Sequence, residues 1–168
     1  MRRFRSAVDG RFVAADTAAA DPDRHVAQTI HQAPAMLHIT HERMSDALMK
    51  WHLGPGVTGN AVVLHRFTGT DQGPHHSHPF DCRSYILHGG YDEELLHPDG
   101  RTEIRQHRPG DVVSIPHDHV HRIVRLVDGD CLTLYEVLGP KVQEPGFFRW
   151  EDGRMFYRQW DAPDWTPV

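Results

Sequence analysis

The chain has 168 residues, a mass of 19.2 kDa, a formal net charge of -5 at pH 7 and a mean hydropathy of -0.56. That length suits a single domain with a buried core, and no stretch reaches the roughly 18 apolar residues of a membrane span. The acidic balance argues against a general nucleic-acid binder, which needs basic residues to neutralise phosphates. Because the first residues lack the continuous apolar stretch of a secretory signal, we expect a cytoplasmic protein.

The first third of the chain predicts a helical arm. Residues 22–32 form a weak helical candidate, and residues 41–52 form a better one. In the second candidate Met44, Leu48 and Trp51 recur at helical spacing, and a Gly-Pro-Gly turn follows it. We expect these helices to pack against a sheet.

From residue 60 onward the sequence predicts a series of short strands separated by turns. Many short strands without intervening helices indicate a β-sandwich or β-barrel. The domain is therefore divided into an N-terminal arm (1–56), a barrel core (57–140) and a C-terminal extension (141–168). The aromatic residues of the extension would cover the barrel or form a dimer contact, with lining of the pocket as a further alternative. The predicted strands span residues 60–68, 83–88, 91–97, 102–107, 111–115, 120–127 and 131–138, with later ones near 147–150 and 155–160.

Histidine is the unusual residue, since the chain holds 15, and nine of them lie between His75 and His121. In an extended segment alternate side chains share a face, so His76 and His78 point the same way. Two imidazoles on one face can chelate a divalent first-row metal. A third ligand must come from another strand, and His121, at the start of a predicted strand, is the strongest candidate.

Two segments that carry these histidines resemble the two sequence motifs of the cupins. Residues 73–89 read GPHHSHPFDCRSYILHG, with His-x-His and a strand that ends in glycine. Residues 108–122 read RPGDVVSIPHDHVHR, with Pro-Gly-Asp, an apolar strand, a proline and a histidine five residues later. The resemblance implies an all-β fold, the cupin double-stranded β-helix or jelly-roll barrel, here with a helical N-terminal arm.

The same resemblance implies that His76, His78 and His121 bind a divalent metal. Iron(II) is the first choice, with zinc, nickel or manganese as alternatives. The sequence departs from the family where a glutamate ligand normally follows the histidine pair, because the aligned position is Cys82, or Arg83 with longer spacing. The site therefore resembles the three-histidine site of cysteine dioxygenase-type enzymes. Ligation by Cys82, or by the nearby carboxylate of Asp81, stays open as an alternative.

Three further residues are candidates for a catalytic role. In cysteine dioxygenase-like enzymes a cysteine after the histidine pair is cross-linked to a tyrosine on a late strand, and Cys82 and Tyr135 are the corresponding pair here. A buried free cysteine is the alternative for Cys82. Arg83 is the third candidate, because a cation facing the site would bind a substrate carboxylate. Two other arginines are candidates for the same task, namely Arg66 and Arg122.

The sequence thus predicts a metal-dependent enzyme, an iron(II) dioxygenase acting on a small polar molecule. An isomerase or lyase that uses the metal as a Lewis acid is one alternative, and a non-catalytic cupin that binds a metal or small ligand is another. The expected partners are a small-molecule substrate and a second copy of the chain in a homodimer. Neither nucleic acid nor a membrane is expected as a partner.

Overall fold

The structure is a computed structural model that describes residues 39–56 and 59–168, together with three short strands before them. These three strands lie within a first compact unit, Met1–Leu37. They are β1 (Arg2–Ser6), β2 (Phe12–Val13) and β3 (His25–Thr29), in an antiparallel sheet of order β2-β1-β3. The helix predicted at residues 22–32 is therefore wrong over residues 25–29, which pair with β1 along their whole length.

The second compact unit, His38–Val168, contains two larger antiparallel sheets. One has seven strands in the order β10-β9-β12-β7-β14-β15-β16, and the other has six in the order β11-β8-β13-β6-β5-β4. The strands of this unit are β4 (Thr40–Arg43), β5 (Leu48–Pro55), β6 (Ala61–Phe67), β7 (His75–His76), β8 (Cys82–His88), β9 (Tyr91–Leu96), β10 (Thr102–His107), β11 (Val112–Ile115), β12 (His121–Leu126), β13 (Cys131–Val137), β14 (Gly146–Glu151), β15 (Arg154–Gln159) and β16 (Thr166–Pro167).

The all-β prediction is confirmed, but the helix predicted over residues 41–52 is wrong. This segment forms the hairpin β4–β5, and β5 continues the six-stranded sheet by pairing with β6. Met44 lies in the turn with an exposed side chain, and its backbone N–H donates to the carbonyl of Leu48. Three apolar residues at helical spacing are too few to outweigh strand pairing along a neighbouring edge. The two sheets consequently extend beyond residues 57–140 at both ends.

A buried core joins the facing surfaces of the two sheets. It combines Cys82 and Ile86 from β8 and Cys131 from β13 with Tyr91 from β9 and Ile123 from β12. Along β8 buried and less buried residues alternate, as expected for a strand with one face inward. We call the region between the inward faces of the two sheets the lumen.

No helix of the length and apolar character needed to cross a membrane occurs in the part of the chain that the structure describes.

A glycine at the end of β8 provides a test of this packing. Gly89 has a φ of 75°, and a Cβ atom there would collide with the backbone carbonyl of Asp130. We expect Gly89→Ala to lower the free energy of unfolding by more than about 1 kcal/mol, because alanine resists positive φ and the collision adds to that cost. Urea unfolding measures the change.

Gly139 is the matched control, since nothing lies within 4 Å of a Cβ added there. Gly139→Ala should change the free energy of unfolding by less than about 0.5 kcal/mol. Equal effects of the two substitutions would contradict the packing described for Gly89.

Candidate metal centre

Three histidines meet where β7 pairs with β12. His76 and His121 are direct partners in this pairing, and His78 follows β7 two residues later. One nitrogen from each of the three imidazoles lies within 4.8 Å of the others. The Nε2 atoms of His78 and His121 are 2.9 Å apart. The structure thus brings together the three histidines that the sequence selected.

The surroundings of these imidazoles favour their neutral form. Burial, reinforced by the neighbouring histidines, lowers the pKa of His76 to about 3. The same causes hold the pKa of His78 well below its ordinary value. Near neutral pH each of these two imidazoles therefore keeps a nitrogen lone pair that can bind a cation.

The donor set fits a divalent metal. Imidazole nitrogen is a common ligand of first-row metals, with metal–nitrogen bonds of about 2.1 Å. Two such bonds at a right angle place their nitrogens about 3.0 Å apart, close to the 2.9 Å between His78 and His121. His76 and His121 project from paired strands, and Gln143 holds the backbone of His78 by donating to its carbonyl, so little rearrangement would be needed.

A buried carboxylate behind His121 is the feature that the sequence reasoning missed. Glu93 lies in β9, and its side chain has 0% exposure. Its Oε2 atom is 2.6 Å from Nδ1 of His121 and 3.2 Å from Nε2 of His119, and its Oε1 is 2.8 Å from Nε2 of His107. Burial alone would raise the pKa of Glu93, but the hydrogen bonds from the three histidines outweigh it and hold that pKa well below its ordinary value.

Glu93, His119 and His121 also form a second close group of possible metal ligands. Here the 2.6 Å between carboxylate oxygen and Nδ1 of His121 is typical of a charge-assisted hydrogen bond. A nitrogen that donates its proton to a carboxylate has no lone pair for a metal. Glu93 therefore leaves Nε2 of His121 to face the other two histidines.

Tyr135 and Cys82 lie behind His78. The Tyr135 hydroxyl is 3.3 Å from Nδ1 of His78, and Tyr135 packs against the buried core cluster that contains Cys82. The Cys82 thiol donates to the carbonyl of Phe80 at 3.3 Å. Burial raises the pKa of Tyr135 and that of Cys82, so both side chains are protonated near neutral pH. Their place suggests that they orient His78.

Comparison with known proteins identifies which known fold the chain shares. No family model and no curated protein matches the chain. Among solved structures, it is similar to a cupin-2 domain protein of Rhodospirillum rubrum, with a TM-score of 0.52 at 14% identity over 75% of this chain and 83% of that one. The chain has the cupin fold.

Other solved structures resemble this chain at lower TM-scores. KdgF from Halomonas sp. gives 0.44 at 22% identity, covering 60% of this chain and 89% of that one. The polyketide cyclase RemF from Streptomyces resistomycificus gives 0.46 at 20% identity, covering 75% and 88%. The fold likeness rests on the first of the three structures.

Two further candidates of the sequence analysis, Arg83 and Asp81, point away from the three histidines. Arg83 is exposed on the outer face of β8, 3.5 Å from the hydroxyl of Tyr85, because strand alternation turns it away from the inward-facing Cys82. Asp81 accepts hydrogen bonds from the backbone and side chain of His117 at 2.8 and 2.7 Å. Among the residues that the structure describes, neither Asp81 nor Cys82 belongs to the group of mutually close ligand atoms.

The hydrogen bond between Glu93 and His121 predicts which ring nitrogen of His121 carries the proton. In the metal-free protein, neutral His121 should carry its proton on Nδ1, because that nitrogen donates to the carboxylate. Long-range ¹H–¹⁵N NMR spectra distinguish the two tautomers. Glu93→Gln should reduce the population with the proton on Nδ1.

Glu103 offers the matched control, since it is also a glutamate bonded to a histidine, with Oε2 3.0 Å from Nε2 of His97. Glu103→Gln should leave the His121 signals unchanged. If wild-type His121 carried its proton on Nε2, the role assigned to Glu93 would be wrong.

Proposed function

We propose that this cupin is a metal-dependent enzyme, an iron(II) dioxygenase that acts on a small polar molecule. The observation that carries the proposal is the convergence of three imidazoles, that of His121 buried and those of His76 and His78 half-buried, without a carboxylate among them. Three neutral ligands leave a divalent ion its full charge, and a facial set of three leaves positions open for other molecules. A closed structural site normally has four protein ligands instead.

In this proposal His76, His78 and His121 hold the metal through imidazole nitrogens. When bound, iron(II) would supply open coordination positions and the redox chemistry that lets dioxygen oxidise an organic substrate. Glu93 keeps the proton of His121 on Nδ1, and Tyr135 faces Nδ1 of His78. Such partners of ligating histidines fix the ring orientation and the tautomer.

The apolar side of the lumen would exclude water from the reaction. Tyr135 packs against the buried core cluster that includes Ile86 and Ile123, so the polar cluster and the apolar core adjoin each other. In a site with little water the charges of substrate and ligands interact more strongly, and reactive species are protected from side reactions. The protein would thus contribute to catalysis by positioning the metal ligands and by excluding solvent.

Removal of the ligands tests the metal assignment. We expect His76→Ala, His78→Ala and His121→Ala each to lower the bound iron after anaerobic loading by more than about tenfold, because each removes one of three bonds to the ion. Metal analysis of the desalted protein measures the loss. His88→Ala, at the exposed end of β8, is the control and should retain the metal. Unchanged metal content in both His76→Ala and His121→Ala would refute the assignment.

Oxygen consumption tests the reaction. Iron-loaded protein is mixed with a panel of small thiols, amino acids and hydroxy acids, and an electrode follows dioxygen. We expect at least one compound to cause oxygen uptake in the wild type and in His88→Ala, and none in His121→Ala. Turnover of a panel compound in the absence of dioxygen would instead indicate an isomerase or lyase. Binding without turnover would indicate a non-catalytic cupin.

A further inference from the structure

Lys50 lies on the inner face of the six-stranded sheet, the face that also carries the buried His65. It pairs with His65 in the register of β5 and β6. The buried His65 ring stacks on Tyr135, with centroids 4.9 Å apart. The Tyr135 hydroxyl then reaches His78 at 3.3 Å. A continuous set of side chains therefore connects the Lys50 position to the candidate metal centre.

The charge of Lys50 acts on the neighbouring His65. It contributes to the lowered pKa of His65, where it is the largest influence after burial. By contrast, the three arginines that the sequence offered for substrate binding are engaged elsewhere, on Asp130, on Glu94 and on the outer face of β8. The sequence predicted no role for Lys50 because its pattern placed the residue in a helix outside the barrel, away from the lumen.

The ammonium group of Lys50 is incompletely partnered by the carboxylate beside it. Only 19% of the side chain is exposed, and burial lowers its pKa. The carboxylate of Glu42 lies 4.0 Å away, beyond hydrogen-bonding distance, and is also 3.4 Å from His52. An ammonium group has three N–H donors, and a desolvated charge is stabilised by a close anion. A ligand in the lumen that brings an anionic group would supply that contact.

We propose that the substrate of this site carries an anionic group, a carboxylate or a phosphate, and that Lys50 binds it. The inference rests on the proposed function in placing the reacting part of the substrate at the three histidines. Lys50 and the metal would then hold the two ends of the same small molecule. The ammonium fixes one end, which limits how the other end can approach the histidines.

The chain itself offers a matched control, since its only lysines are Lys50 and Lys141. Lys141 is exposed and forms an ion pair with Glu144. Calorimetric titration would measure the binding of malonate, of inorganic phosphate and of neutral malonamide to the zinc-loaded protein. The variants are Lys50→Met, Lys50→Arg and Lys141→Met, with metal content and melting temperature checked for each.

We expect malonate or phosphate to bind the wild type more tightly than malonamide, and the stronger of the two anions identifies the class of group. Lys50→Met should weaken its binding by about tenfold to a hundredfold, the usual effect of losing a charged hydrogen-bond partner. Lys50→Arg should bind it better than Lys50→Met, and Lys141→Met should match the wild type. Equal binding to Lys50→Met and the wild type, or no binding of either anion to the wild type, would overturn the inference.

Two further measurements test anion binding by Lys50 independently of the metal assignment. The titration is repeated on metal-free protein, where anion binding that depends on Lys50 supports the inference even if the metal assignment fails. If Lys50→Met does not fold, reductive methylation of the wild type replaces it. The preferred anion should then slow modification of Lys50 and leave Lys141 unaffected, and equal rates at Lys50 with and without the anion would contradict the proposal.

Discussion

Glu93 holds a negative charge in the interior of the seven-stranded sheet, and the organisation of the candidate site depends on how that charge is compensated. A buried carboxylate is costly unless charged or polar partners surround it. Here the partners are imidazoles from β10, from the turn before β12 and from β12 itself. The hydrogen bonds therefore fix the side chain of His121, and through its strand pairing with His76 they fix the edge of the site.

The lumen therefore has a polar side and an apolar side. Around Glu93 and the histidines the interior is polar and its hydrogen bonds are directional, whereas Ile86, Ile123 and their neighbours form an apolar core that needs only close packing. Tyr135 belongs to both sides, because its ring packs on the core and its hydroxyl faces His78. A polar cluster with directional hydrogen bonds beside an apolar core is suited to holding a metal and a small molecule.

The sequence predicted part of this arrangement and missed part of it for identifiable reasons. His76 and His78 were predictable because strand alternation is a local property of the chain. Glu93 and Lys50 carry no such local signal. Glu93 stands in an acidic segment that reads equally well as a solvated strand, and Lys50 stands in a segment whose three apolar residues mimic a helix. In both cases the deciding information is the neighbouring strand, β12 for Glu93 and β6 for Lys50.

By itself, the sequence determined that the chain is rich in short strands, and which histidines stand at ligand spacing. Both follow from interactions within a few residues, such as turn preferences and the alternation of side chains along a strand. The tertiary structure decided which residues surround those histidines. It turned Arg83 outward, placed Glu93 behind His121 and brought Lys50 to the same wall as His65. These placements follow from pairing between strands distant in the sequence, and a shift of one residue in register would reverse each of them.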